Sequence, residues 1–330
     1  MIYGDSQNIL WNLKLLLDSV FLRDGHFRNV SRGLSIRSVD VSRLARDSSS
    51  DSYFAGISGA QVWQSPYKEW VYESGITMND APFISGMTPP AAPSGVWVNG
   101  TFFSNGTGVS GSQFYIDYMN GRVIFNGTGI PNNSNLQVNY SYRTFRVDFS
   151  NRFARADIEY HAETELKDNP YTNDNVLYPS GGAQVGILPA IFLELDEDDR
   201  EAFELGNRSA IVTQPVFCHV YAYSPVERDA AMDLIRSRWH IQMPLIDFNY
   251  APFPLSGLMA TMSPNYIPYQ TLLTNVTHNG QKVISKTFTF EDVRGRPQEP
   301  LLRLERGVVT VTTKIYNISP TGRIPQNPYI

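Results

Sequence analysis

The chain has 330 residues, 42% of them hydrophobic and 18% charged, and a formal net charge of −5. The hydrophobic share excludes a disordered polymer. The acidic balance argues against a general nucleic-acid binder, which needs surplus Lys and Arg to displace counterions from phosphate. One cysteine, Cys218, excludes an intrachain disulfide and with it a stapled secreted scaffold.

Charged residues fall below the roughly 25% of ordinary soluble domains, while aromatic residues reach 12%. That balance fits a β-rich protein whose surface is buried against other chains, and equally a β-rich monomer. The opening Met-Ile-Tyr-Gly-Asp-Ser has no basic region and no small-residue cleavage site, so no secretory leader is expected. The Asn-x-Ser/Thr triplets then read as turn chemistry. No apolar run nears the ~18–20 residues of a membrane-spanning helix.

Taken in order, the first expected element is an amphipathic helix over residues 6–23. Asp5 or Ser6 is its N-cap, Gly25 its stop, and Ile9, Leu10, Leu13, Leu16, Leu17, Val20 and Phe21 its buried stripe. Asn8, Asn12, Lys14 and Asp18 fall on the opposite arc. A strand over 33–41 and a polar loop through 47–50 follow. Residues 60–150 read as β throughout. Asn99-Gly100 and Asn120-Gly121 each stand between runs of β-formers, the pattern of a tight hairpin whose central residues take positive φ. A further strand is expected over 136–148, and Pro89-Pro90-Ala91-Ala92-Pro93 reads as a stiff linker.

The remainder mixes strand and helix. Strands are expected over 188–195, 217–223, 282–290 and 307–318. A helix begins at Ser224-Pro225-Val226-Glu227, with Ser224 as N-cap, Pro225 at the first helical position and Glu227 closing a capping box, and runs to about Arg238. Residues 319–330 hold three prolines and no periodicity, and read as an extended arm whose Ile324, Tyr329 and Ile330 are candidate contacts with a neighbouring subunit.

The order from Leu188 to Asn249 resembles the tail-terminator and neck proteins of contractile-tailed bacteriophages (myoviruses). It runs from Leu188-Pro189-Ala190-Ile191-Phe192 through Phe203-Glu204-Leu205-Gly206, the strand over 217–223 and the capped helix to Ile246-Asp247-Phe248-Asn249. The N-terminal half is similar to virion structural proteins of such phages at Tyr3-Gly4-Asp5, Trp70-Val71-Tyr72-Glu73-Ser74-Gly75, Trp97-Val98-Asn99-Gly100 and the stretch Ile116 to Phe125. The resemblance covers most of the chain, but its motifs are structural punctuation, and the β block over 60–150 has no counterpart in the smallest terminators. It implies a hexameric ring that caps the tail tube or sheath and offers its other face to the head connector.

Several chemical patterns fall to plainer readings. Gly106-Thr107-Gly108-Val109-Ser110-Gly111 matches a dinucleotide fingerprint, but strand-forming residues follow where a helix N-terminus is required. Glu159, His161, Glu163 and Glu165 alternate as cation ligands on a strand would, and as a solvated edge would. Asp196-Glu197-Asp198-Asp199 resembles the start of a calcium loop, but Arg200 and Glu201 stand where a further ligand and Gly belong. An acidic rim, or the lining of a channel, is the better reading. Cys218 and His219 are adjacent, so on a strand they face opposite ways and form no nucleophile–base pair.

The resulting expectation is an α+β protein in four parts: an N-terminal helix and linker (1–55), an all-β domain of hairpins, sandwich- or barrel-like (56–150), a smaller tail-terminator-like α/β ring-forming domain (151–318) and the arm (319–330). No catalysis, metal or cofactor is expected. The partners would be further copies of the chain, tail tube or sheath and head-connector proteins, and double-stranded DNA passing without specific binding, with no membrane. Assembly would occur in the host cytoplasm and the final place would be the virion neck or upper tail. A head-completion adaptor or baseplate component is the alternative, and a receptor- or glycan-binding module built on the aromatic strands ranks below it.

Overall fold

The computed structural model describes residues 4–31, 43–48, 53–54, 57–65, 67–72, 90, 92–104, 108–109, 112–118, 120–127, 129–150, 188–202, 210–238, 241–249, 277–278, 281–282, 284–301 and 304–317. The expected strand over 33–41 and the arm over 319–330 lie outside them. The protein is α+β and mostly β, with two curled half-barrel sheets and two helices among the described residues.

Helix α1 spans Asp5–Arg23. Neither expected N-cap acts: Gly4 precedes the helix in an extended conformation and no side chain caps it. Asp5 instead opens the first turn, where its charge suits the positive end of the helix dipole, and pairs with Lys286 at 2.8 Å. The other end stops as expected. Gly25 takes φ +92°, its N–H donates to the Leu22 carbonyl at 3.2 Å, and the His26 N–H donates to that of Phe21 at 3.1 Å, which is a Schellman closure.

The amphipathic reading of α1 needs correction. Asn8, Asn12, Lys14 and Asp18 are all 5% exposed or less, as buried as the apolar stripe. Buried polar groups persist only when hydrogen-bonded, and these are. The Asn12 carboxamide donates to the Ile246 carbonyl at 2.9 Å and accepts from the Ile246 N–H at 3.1 Å. Asn8 accepts from the Phe248 N–H at 3.2 Å. Lys14 donates to the Val147 carbonyl, and Asp18 accepts from Arg143 and from the Tyr72 hydroxyl at 3.2 and 3.1 Å.

These contacts explain the shape of the larger C-terminal sheet. Its strands run Arg146–Phe149, Ala190–Leu195, Ala210–Ala222, Leu304–Asn317, Ile284–Leu301 and Gln242–Ile246, with Asp199–Ala202 also paired to Ala210–Ala222. Val147 belongs to the first strand of that order and Ile246 to the last, so α1 is bonded to both edges of a sheet that curls around it. Helix α2, Pro225–Arg236, lies across the three longest strands. It approaches them closely because Gly295 and Gly307 present no side chain: an ideal Cβ on Gly307 would lie 2.4 Å from the Met232 sulfur. Ser224 caps α2 as expected, accepting from the Glu227 N–H at 3.2 Å. The Glu227 carboxylate reaches one residue further back than a capping box requires, to the Tyr223 N–H at 3.1 Å.

The N-terminal sheet has eight strands in the order Thr101–Ser104, Gly95–Val98, Leu136–Gln137, Arg43–Arg46, Gln61–Gln64, Arg122–Phe125, Ser112–Asp117 and Gly108–Val109. Asn99-Gly100 makes the tight hairpin, with φ of +48° and +91°. The second Asn-Gly does not. Asp117 pairs with Arg122, which leaves a four-residue loop over 118–121 with positive φ at Gly121 but not at Asn120. The single strand expected over 136–148 breaks into three: Leu136–Gln137 joins the N-terminal sheet, Tyr140–Arg143 pairs with Phe27–Val30, and Arg146–Phe149 joins the C-terminal sheet. Buried apolar side chains of both sheets and both helices form one contiguous cluster.

Asn12 generates the first prediction. Asn12→Ala leaves the Ile246 N–H and carbonyl unsatisfied in the interior, so the unfolding free energy should fall by about 2–4 kcal/mol, measured by urea denaturation. A second concerns acid. Burial alone would raise the Asp148 pKa, but Lys14 and Arg146 outweigh it and hold this carboxyl below its ordinary 3.8. A depressed carboxylate contributes stability that is complete above the unfolded pKa and is lost as pH falls through the folded one. Asp148→Asn should therefore lose less stability than the wild type between about pH 4 and pH 2, followed by denaturant midpoints at each pH.

Candidate assembly surface

The acidic run sits at an interruption in strand pairing. Ala190–Leu195 pairs with Ala210–Ala222 at Val216–Tyr221, and Asp199–Ala202 pairs with it at Ala210–Thr213. Gln214 and Pro215 thus face a gap, and Asp196, Glu197 and Asp198 form the loop that spans it. Proline within a strand between two neighbours is disfavoured because it cannot donate to the ladder. Here the missing donor falls where no strand partner stands on that side. The gap is closed by other means. Gln214, 1% exposed, donates from its carboxamide to the Asp196 carbonyl at 2.7 Å, and the Asp196 N–H donates to the Pro215 carbonyl at 3.1 Å.

The loop backbone is thereby anchored while its carboxylates point to water. Asp196, Glu197, Asp198 and Asp199 are all exposed, and Arg200 turns back to Asp198 at 2.7 Å. The loop and the start of the next strand thus present four exposed carboxylates in a row, one of them paired with Arg200. Such a row repels polyanions and needs no metal to stabilise its backbone. The residues where further calcium ligands belong are strand, not loop.

Cys218 and His219 face opposite sides of the strand, as expected. Cys218 is fully buried, and burial pushes its thiol up to about 12. His219 lies on the outer face, 2.7 Å from Glu194. Glu159, His161, Glu163 and Glu165 lie outside the described residues, as do Ile324, Tyr329 and Ile330. Among the described residues no group of three or more His, Cys, Asp or Glu is placed to hold a metal ion, and no helix is long and apolar enough to cross a membrane. Of the nucleotide-like glycine run, Gly108–Val109 is a strand and Ser112–Asp117 the next, so no helix N-terminus follows it.

Among the described residues two large apolar side chains are exposed: Val226 in the first turn of α2 and Phe102 on an edge strand of the N-terminal sheet, its ring 4.6 Å from that of Trp97. Sequence reasoning identified the aromatic hairpin but not its place at a sheet edge. It also missed Gln214, whose role depends on how Ala190–Leu195 and Asp199–Ala202 divide one side of the strand that carries it.

The state of Cys218 predicts that thiol reagents leave the native protein unmodified at pH 8 and modify it once denaturant unfolds the chain, as read by intact mass. Compared with known proteins, the chain matches no protein-family model, and no curated protein matches it in sequence.

Proposed function

We propose that this chain is a non-enzymatic structural protein of a contractile-tailed bacteriophage, forming a ring in the neck or upper tail that links the tail to the head connector. The observation that carries the reading is the folded form of the Leu188–Asn249 segment, whose order resembles terminator and neck proteins. Ala190–Leu195, Asp199–Ala202, Ala210–Ala222, α2 and Gln242–Ile246 follow one another among the described residues, and their strands belong to the one sheet that is bonded to α1. A stiff unit of this kind is suited to repeated head-to-tail contacts, which close into a ring when the rotation between neighbours divides a full turn.

The exposed Asp196–Asp199 row supports the same reading. A channel that passes DNA works best with neutral or acidic walls, because every neutralised phosphate adds affinity that retards sliding. The low charged fraction agrees with a subunit that buries much of its surface in an assembly. A head-completion adaptor or baseplate component would use the same stiffness and remains the alternative reading.

The purified chain should form a closed ring, six subunits being expected, when sized by light scattering and imaged by negative stain. Deleting 319–330 should reduce it to smaller species. Particles made without the protein should appear as filled heads and separate tails, and binding to duplex DNA should be weak with a shallow salt dependence. A protein that stays monomeric at every concentration, or whose loss leaves heads and tails joined, refutes the assignment.

A further inference from the structure

An edge strand that shows its backbone donors and acceptors to solvent is a template for a further strand. In the C-terminal sheet the edges are guarded. Asn12 bonds Ile246 on the strand Gln242–Ile246, and Lys14 bonds Val147 on Arg146–Phe149. Ile284–Leu301 runs on past the end of Gln242–Ile246, and that stretch carries a register break between Phe290 and Asp292, exposed Arg294 and Arg296, and the prolines 297 and 300. Each of these discourages pairing. At one end of the N-terminal sheet Gly108–Val109 is only two residues long. Thr101–Ser104, at the other end, has none of these guards. Its four residues are uncharged, hold no proline and keep an unbroken register with Gly95–Val98, and Thr101, Phe102 and Ser104 are exposed.

The Asn99-Gly100 turn fixes which way the backbone of this strand faces. The pair that closes a two-residue hairpin, here Val98 and Thr101, exchanges both of its hydrogen bonds, and bonded and non-bonded pairs then alternate. Trp97 and Phe102 are the next pair and are not bonded to each other. The Asn99 N–H, two residues on from that of Trp97, donates away from the hairpin to the Asn135 carbonyl at 2.9 Å, as this alternation requires. The Phe102 N–H and carbonyl therefore point outward from the sheet edge. The Phe102 side chain, 44% exposed, is held in place beside them. Its ring lies 4.6 Å from that of Trp97 and covers the bare Cα of Gly95, where an ideal Cβ would come within 2.8 Å of it.

We propose that Thr101–Ser104 pairs antiparallel with the same strand of a second copy of this chain, about a twofold axis that stands on the sheet beside Phe102. An axis in that direction keeps the solvent face of one sheet continuous with that of the other, and it sets Phe102 opposite its own counterpart. Each Phe102 N–H then donates to the other copy's Phe102 carbonyl, with the two Cα atoms about 5.5 Å apart. The two rings lie side by side with a Trp97 outside each, which covers the exposed aromatic surface. An uncharged strand meeting itself sets no like charges face to face. A twofold contact consumes both edges and stops at two, so the open edge does not seed a fibre. The contact does not depend on a ring: it joins two rings face to face or two lone chains equally.

The test compares the full-length chain with Phe102→Lys by light scattering over a dilution series. A lysine on the edge guards it as natural edges are guarded. One short strand makes a reversible contact, so the wild-type mass should double as concentration rises, from whatever species is present at high dilution. Phe102→Lys, with an unchanged circular-dichroism spectrum, should stay at the lower mass throughout. Phe102→Cys, oxidised at the concentration where the wild type has doubled, should give a covalent pair released by reductant, Cys218 being fully buried. Thr101→Cys should not, because the same register sets its counterpart beyond the ~7 Å that a disulfide spans. Should Phe102→Lys fail to fold, the two cysteine variants decide. Equal masses for wild type and Phe102→Lys at every concentration overturn the pairing, as does cross-linking through Thr101→Cys as readily as through Phe102→Cys. A ring that never doubles sinks the pair and spares the ring, and lone chains that double do the reverse.

Discussion

The hydrogen bonds from the polar side chains of α1 to strand edges are what the rest of the architecture depends on. A helix enclosed on nearly every side must find a partner for each polar group or bear the cost of stripping it of water, roughly 1–3 kcal/mol per unsatisfied group. An edge strand has the converse problem, a row of backbone donors and acceptors with no neighbour. In this protein each solves the other. The Asn12 carboxamide offers Ile246 the same donor and acceptor that a neighbouring residue of a ladder would offer, and Lys14 does half of this for Val147 at the opposite edge. The sheet curls because two edges must reach one cylinder, and α2 can then lie across the long strands beside α1.

The same exchange of side chain for missing backbone recurs at the acidic rim. Two strands share one side of Ala210–Ala222 and leave a gap between them. Gln214 fills it from within, and Pro215 occupies the one position where a lost donor costs little. Anchoring the backbone there lets Asp196–Asp199 face solvent without the loop needing a cation. The charge of the rim and the integrity of the sheet are therefore separable: changing the carboxylates alters the first, and changing Gln214 alters the second.

Much of the architecture was legible where local chemistry decides. Ser224-Pro225 and Gly25 marked helix ends, and Asn99-Gly100 marked a hairpin, because caps and tight turns are settled by a few adjacent residues. Strand lengths were harder. The strand expected over 217–223 begins at Ala210 and runs through Pro215, and only the gap beside Pro215 explains how it can. The stretch 136–148 alternates as one strand would, yet its three pieces serve three pairings, a division set by distant partners. The polar arc of α1 looked solvent-facing because periodicity cannot tell water from a strand edge. At the acidic rim the exposed carboxylates were legible, whereas Gln214 was not.

The bond between Asn12 and Ile246 joins positions 234 residues apart. During translation at ~5–20 residues per second, α1 would leave the ribosome roughly 10–50 s before the strand it must pair with. Through that interval its leucines and its buried asparagines both lack their final surroundings. The polar arc, wasteful in a finished core, keeps the unpaired helix wetted on one side and so limits what it can wrongly stick to. The last-made strands then act as the step that commits the chain, which makes this a fold of high contact order and slow closure.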